Sequence, residues 1–188
     1  TGIQHGTVTV LVDREILDDG SGSLASHTDY AFEVTTYRVD GVYTDHRRPE
    51  SVCFTASLEE DLKRRDFTIN AMAYNPEQGV IDIFGGQKDL EKGIIRCVGE
   101  ASERFDEDAL RILRAVRFAA QLDFVIENQT REAMRDQAKF LKDISAERIC
   151  TELTKMIVSK HPERLEEAYE LGLTNIFLPE FDRMMQTP

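Results

Sequence analysis

Long apolar runs are missing from this sequence. No stretch approaches the about 20 consecutive residues that a membrane-spanning helix needs, which excludes a transmembrane span. A charged start followed by an apolar segment is missing too, so no secretory signal opens the chain. Cysteine is scarce: Cys53, Cys97 and Cys150 are odd in number and far apart, which argues against a disulfide framework and for a reduced, cytoplasmic setting. There is no Walker-type P-loop and no Gly-x-Gly-x-x-Gly turn. The four histidines, His5, His27, His46 and His161, keep apart from the cysteines and lack zinc spacing. Positive charge is in deficit as well. The 23 Lys and Arg against 35 Asp and Glu leave a formal net charge of -12, which by itself argues against a nucleic-acid partner, because phosphate neutralisation needs cations.

What is present is the composition of a globular chain. Its 188 residues, 41% hydrophobic and 31% charged, suffice for one medium domain or two small ones with a real core. The net charge hides an uneven distribution. Basic residues gather at Arg47-Arg48, at Lys63-Arg64-Arg65, and at Arg111, Arg114 and Arg117, while acidic residues dominate the last third. A local basic cleft on an acidic body is expected.

The β-branched run from Gly6 to Val12 reads as a strand, and the polar Asp18-Asp19-Gly20-Ser21-Gly22-Ser23 as a turn or loop. Residues 31–38 read as the returning strand of a hairpin, with Glu33, Thr35 and Tyr37 on one face and Phe32, Val34 and Thr36 on the other. Residues 40–49 form a polar loop. From Ser57 the period becomes helical, with Ser57 and Glu60 at capping-box spacing and Leu58 and Leu62 four apart. The pattern predicts a second short helix over 67–74, a strand over 80–84, and a tight turn at Gly85-Gly86 that closes a first domain. Further helices are expected over 105–122, 128–139, 145–158 and 162–171, with Ser145 as N-cap, Pro162 at N1 and Gly172 at the end of the last. The fold class is α+β followed by all-α. The chain opens on Thr1 rather than Met and closes at Pro188 without a helix stop, so a fragment cut at both ends is expected.

Two segments place charged groups beside apolar helix positions. Steps of three residues drift by only about 60° around a helix, so Asp108, Arg111, Arg114 and Arg117 would form one slowly winding ribbon. The plain reading is a solvated face with Asp108 favouring the helix N-terminus. The chemical reading is an acceptor beside a donor. A carboxylate next to a guanidinium complements an exocyclic amino group beside a ring nitrogen, the pattern that cytosine and adenine share and that guanine and uracil reverse. Arg114 and Arg117 would be free to hold phosphates.

In Arg65-Asp66-Phe67-Thr68-Ile69-Asn70, either Asp66 caps a helix and Asn70 bonds locally, or these two accept from a ribose hydroxyl while Arg65 contacts phosphate. Glu33 reads first as an exposed-face strand residue. The run Asp106-Glu107-Asp108 looks like an Asp-x-Asp metal pair but stands at a helix start, with Asp108 already assigned.

These residues resemble the bacterial class II tRNA nucleotidyltransferases, the CCA-adding enzymes, which share a superfamily with bacterial poly(A) polymerases. Thr1 to Val10 resembles the segment after that family's metal-binding motif, and Phe32 to Arg38 its next strand. Arg64 to Ala71 is similar to the sugar-selecting motif, and Asp82-Ile83-Phe84-Gly85-Gly86-Gln87-Lys88-Asp89-Leu90 to the connector between head and neck. Glu107 to Arg111 resembles the amino-acid template that selects CTP and then ATP, and Ser145 to Ile149 the neck motif that follows. The likeness covers nearly the whole chain in the right order.

The resemblance implies a partial nucleotidyltransferase head with a β-sheet over 1–85, a helical neck over 86–160 that binds nucleotide and RNA, and the start of a helical body over 161–188. It implies that Arg65 contacts the incoming nucleotide, that Asp66 and Asn70 favour ribose, that Asp108 and Arg111 read the base, and that Arg114 and Arg117 support base or triphosphate. Glu33 is its one catalytic candidate, near the metals, and the exposed-face reading stands beside it. The activity implied is template-independent addition of C, C and A to the tRNA 3′ end from CTP and ATP, with Mg²⁺ as cofactor. Family members open with a Gly-Gly or Gly-Ser turn and an Asp-x-Asp pair that holds two Mg²⁺ ions, and no segment combining the two is found in this sequence. No metal site is therefore expected in this chain, and catalysis is expected of the longer parent alone. A poly(A) polymerase, a specialised CC- or A-adding relative, and a non-catalytic nucleotide- or RNA-binding module are the alternatives. The oligomeric state is not legible.

Overall fold

The β-branched run at the start forms the strand expected of it. The computed structural model describes residues 6–12, 30–41, 43 and 49–187. Strand β1 (Thr7–Val12) pairs antiparallel with β2 (Tyr30–Thr35), in a register running from Thr7↔Thr35 to Val12↔Tyr30. Alternation puts Val8, Val10 and Val12 on one face with Val34, Phe32 and Tyr30, and Glu33 opposite Thr9 on the other. The second strand is shorter than the expected 31–38. Thr36 N–H donates to Gly6 O at 3.1 Å while Tyr37 O accepts from Thr55 N–H at 3.0 Å, so the chain changes partner there. It continues as β3 (Arg38–Asp40), paired with β4 (Val52–Phe54). The expected turn at Asp18 to Ser23, the cluster Arg47-Arg48, and His5, His27 and His46 lie outside the described residues.

Helix α1 (Leu58–Lys63) starts as the capping spacing predicts, with the Ser57 hydroxyl accepting from Glu60 N–H at 3.3 Å. The helix expected over 67–74 does not form. A single 3₁₀ turn, Thr68–Asn70, leads into β5 (Met72–Asn75), which pairs with β6 (Gly79–Asp82). Phe67 bridges Cys97, Thr68 N–H donates to Arg96 O at 2.9 Å, and Val98 N–H donates to Asp66 O at 3.0 Å. These extended pairings claim the backbone that a helix would need, and tertiary context overrides the local period.

Gly85, in the left-handed region at φ 77°, leads into α2 (Gly86–Lys92), an element not expected from the sequence. The two Asp82 carboxylate oxygens cap it, accepting from Gly86 N–H at 2.7 Å and Gln87 N–H at 2.9 Å. Short strands β7 (Ile94–Ile95) and β8 (Val125–Ile126) pair in parallel. The helix expected over 105–122 is two, α3 (Ala101–Glu107) and α4 (Leu110–Leu122), with Asp108 extended between them at φ -146°, ψ 102°. The helices α5 (Asn128–Gln137), α6 (Ala146–Ile157), α7 (Leu165–Glu170), α8 (Thr174–Phe177) and α9 (Pro179–Met185) complete the chain. Pro162 opens a 3₁₀ turn ahead of α7 rather than the helix itself.

The strand pairs before residue 83 and the helices that follow make the α+β-then-α arrangement that the sequence predicts. Helix α4 is its axis, buried through Ile112, Leu113, Ala115, Val116, Ala119 and Ala120 and packed against α6. The main core joins it to Phe67, Ile95, Phe105, Met134 and Met156, so the segment carrying Asp66 is anchored in the same core as the helices. Among the described residues no helix is long and apolar enough to cross a membrane. Cys97 is buried and burial pushes its thiol up to about 12, whereas Cys53 on β4 and Cys150 on α6 are exposed.

Candidate functional site

The turn after α1 and the α3–α4 junction face each other across a cleft of about 450 Å³, lined by Arg64, Arg65, Asp66, Asn70, Asp108, Arg111, Arg114 and Arg148. Five cations over two carboxylates make this the local basic patch expected on an acidic chain.

On the α1 side, Asp66 is held from three directions. Its Oδ1 accepts from Phe67 N–H at 2.9 Å and Asn70 Nδ2 at 3.4 Å, and its Oδ2 accepts from Arg114 Nε at 2.8 Å. The expected helix cap at Asp66 does not form, since Phe67 stands at the N-cap of the 3₁₀ turn without a side-chain cap, whereas the expected local bond of Asn70 does: its amide reaches Asp66 directly and orients both side chains at the cleft wall. Arg65 is fastened to Asp61 at 3.2 Å and to Asn70 O at 3.3 Å. Burial alone would raise the Asp61 carboxyl, but hydrogen bonds from Arg64, the Arg38 backbone N–H and Arg65 outweigh it and hold the group below the usual carboxylate range.

A group whose pKa is lower in the folded chain adds stability above its unfolded value, about 4, and loses it as pH falls through the folded value. Acid should therefore weaken the fold partly through Asp61. Urea midpoints at pH 7 and pH 3 should show a smaller acid loss in Asp61→Asn than in the wild type; equal losses would remove Asp61 from the account.

On the other side the sequence expectation needs correcting. Asp108 does not share a helical face with Arg111. It stands in extended backbone before α4, accepts Leu110 N–H on Oδ1 at 3.1 Å, and offers its carbonyl to Arg111 N–H at 3.0 Å. Aspartate serves a helix start better than a helix interior, because its short side chain reaches the free backbone donors there. Cap geometry, rather than helical periodicity, brings Asp108 and Arg111 into the one cleft.

Arg111 is held in place by three neighbours. Nη1 donates to Arg104 O at 3.0 Å and to the Glu107 carboxylate, and Nη2 donates to Arg64 O at 3.0 Å, which ties the two walls together. Asp108 is gripped by Arg148 of α6 in a two-pronged pair at 3.2 and 2.7 Å. Sequence reasoning did not single out Arg148. It sits inside the Ser145 to Ile149 motif, but no local pattern links it to a residue forty positions earlier.

Arg117 and Glu33 are not among the residues that line the cleft. Arg117 is buried between α4 and α6, with Nε 2.5 Å from Glu152, Nη1 2.7 Å from Gln121 Oε1, and its guanidinium 3.7 Å over the Phe118 ring. Burial pulls the Arg117 guanidinium below its ordinary value, and Glu152 opposes that shift. Glu33 is exposed on β2 between Ala31 and Thr35, opposite Thr9. Among the described residues no group of three or more His, Cys, Asp or Glu is placed to hold a metal ion. The described residues by themselves do not supply the ligand set of a metal pair.

The chain is similar to known proteins in sequence and in fold. The poly A polymerase head domain family matches residues 1–96, and the family described as the probable RNA and SrmB-binding site of polymerase A matches residues 123–185. The CCA-adding enzyme of Lactiplantibacillus plantarum is 48% identical over 185 residues, 98% of this chain and 40% of that protein. That of Leuconostoc mesenteroides is 49% identical over 180 residues, 95% of this chain and 41% of that protein. The crystal structure of the Bacillus stearothermophilus CCA-adding enzyme in complex with CTP superposes with a TM-score of 0.70 at 36% identity, covering 92% of this chain and 50% of that one. The chain thus spans about 40% of the length of the curated relatives it matches. With its strand-rich first half matched in sequence and its architecture matched in structure, the chain belongs to the poly A polymerase head domain family.

Proposed function

We propose that the protein containing this chain adds C, C and A to the 3′ end of tRNA from CTP and ATP, and that the cleft between the Asp66 turn and the α3–α4 junction selects the nucleotide. The observation that carries this reading is the placement of Asp108 and Arg111, an acceptor and a held donor, across the cleft from Asp66 and Asn70. An acceptor beside a donor matches the amino-and-ring-nitrogen edge of cytosine and adenine. The names of the similar proteins support the choice of reaction over plain poly(A) synthesis. The division into a head over 1–85, a neck over 86–160 and the start of a body over 161–188 belongs to the same reading.

In the reaction, the RNA 3′-hydroxyl attacks the nucleotide α-phosphorus in line. A new P–O ester forms as the hydroxyl proton passes to water, the α–β anhydride bond breaks, and pyrophosphate departs with the displaced electron pair. The roles proposed within this chain are binding ones. Asp108 and Arg111 read the base, Asp66 and Asn70 meet the ribose hydroxyls, and Arg65 and Arg114 offer positive charge to the triphosphate. Arg117, buried against Glu152, takes no direct part in this version, and Glu33 remains the candidate nearest the reacting groups. The reading includes Mg²⁺ for the longer protein and none held by the residues described here.

The test is nucleotide addition to tRNA that ends before its CCA, supplied with CTP, ATP or both. The assay is run on this chain and on a protein spanning the length of its relatives. Two C residues and one A from the longer protein, with none from this chain, are expected. Long A tails would replace the reading by poly(A) synthesis. No addition by either would leave a nucleotide-binding module.

A further inference from the structure

Asn70 sits on a turn whose own two backbone bonds give it little rigidity. Thr68–Asn70 is a single 3₁₀ turn without a side-chain cap, closed by Asn70 N–H to Phe67 O at 2.9 Å and Ala71 N–H to Thr68 O at 3.0 Å. Such turns have poor hydrogen-bond geometry and little stability of their own, so the placement of Asn70 must come from what the turn rests on. It rests on α2. The Thr68 hydroxyl donates to Asp89 Oδ2 at 2.8 Å, and both residues are buried. Arg96 Nε reaches the same carboxylate oxygen at 3.0 Å, and its Nη1 reaches Glu127 at 3.1 Å, fastening the assembly to the start of α5.

Gly86 makes this seat possible. A Cβ there would lie 2.2 Å from Thr68 O and 2.9 Å from Thr68 C, both backbone atoms that cannot swing aside. Its neighbour Gly85 has the left-handed φ and open space around it, while Gly86 is not among the residues with positive φ. The two glycines therefore do different jobs: Gly85 turns the chain and Gly86 admits the turn. The oxygen that Gly86 approaches accepts the Ala71 N–H, the second of the two bonds that close the turn around Asn70, so any push there is passed to Asn70.

We propose that Gly86 and Thr68 are positioning residues for sugar recognition, with α2 seated against the 3₁₀ turn so as to fix where Asn70 and Asp66 stand in the cleft. This rests on the reading that Asp66 and Asn70 meet the ribose. The base-reading pair lies on the opposite wall and should be insensitive to the seat.

The experiment titrates CTP, dCTP and GTP into this chain and into Gly86→Ala, Thr68→Val and Thr68→Ser, with circular dichroism confirming that each is folded. The wild type should bind CTP more tightly than dCTP. Gly86→Ala and Thr68→Val should shrink that ratio by about five- to tenfold, the scale of one lost hydrogen bond to a charged or oriented group, and leave the CTP-to-GTP ratio within about twofold. Thr68→Ser, which keeps the hydroxyl, should retain the sugar ratio. Folded Gly86→Ala and Thr68→Val chains with the wild-type sugar ratio would overturn the proposal and leave the ribose reading standing. Sugar and base ratios that collapse together would make the seat a general support and overturn it as well. A wild type that does not distinguish CTP from dCTP would overturn the ribose reading itself, and the proposal with it.

Discussion

A chain carrying Asp108→Ala should lose its preference for CTP and ATP over GTP and UTP while keeping much of its affinity for triphosphates. In the function proposed, the carboxylate supplies the acceptor half of the base-reading pair, and a charge-assisted contact in such a cleft is worth about 1.5–3 kcal/mol, or roughly 10- to 100-fold in the ratio of Kd values. Affinity should hold up because removing Asp108 also strips Arg148 of its partner and leaves an additional cation free beside Arg65, Arg111 and Arg114. A nucleotide of any base is then attracted by its phosphates. Asp108→Ala also removes the bond to Leu110 N–H at the start of α4, so its thermal stability should be measured alongside. Asp108→Asn keeps an acceptor for that bond and should fall between the two. Titration of all four nucleotides decides the matter: a wild type that binds all four alike, or an Asp108→Ala chain that still discriminates, would remove the base-reading role.

The largest loss of stability is expected from Glu152→Ala. Arg117 and Glu152 are both almost wholly buried, 7% and 4% exposed, and they join α4 to α6. Removing the carboxylate strands a guanidinium in the interior, a change that costs about 3–5 kcal/mol. For a chain of this size that corresponds to a fall in Tm of about 10 °C or more. The Phe118 ring over which Arg117 lies, and Gln121, soften the loss without cancelling it. The double variant Glu152→Ala, Arg117→Met should recover most of the stability, since no buried charge remains unpaired. Nucleotide selectivity in the folded single variant should match the wild type because Arg117 is outside the cleft lining. A change in selectivity without a fall in Tm would instead return Arg117 to the direct role that the family resemblance implies.

The β1–β2 hairpin was legible because Gly6 to Val12 is rich in β-branched residues and residues 31–38 divide into two faces, signals contained within each strand. The start of α1 was legible because Ser57 and Glu60 carry their own capping geometry. The helix over 67–74 was misread because its apolar positions also suit a strand, and the decision falls to Arg96, Cys97 and Val98, which lie far along the chain. Asp108, Arg111 and Arg114 line one cleft, but the helical ribbon expected to unite them does not include Asp108, which stands in extended backbone before α4. Arg148, Glu152 and the seat made by α2 had no local signature. Each acts through one long-range contact, and a side chain that finds its partner only after the chain has folded leaves no periodicity behind.

The cysteines lend themselves to a different use. Cys97 is buried and holds its proton to about pH 12, so it should resist alkylation in the native chain, since the thiolate is the reacting species. Cys53 and Cys150 are exposed, one on a strand of the first half and the other two positions past Arg148 on α6. The unmodified sequence thus carries its own two attachment points for a fluorescent donor and acceptor. Their spacing would report in solution whether the strand-rich half and α6 approach each other as nucleotide enters.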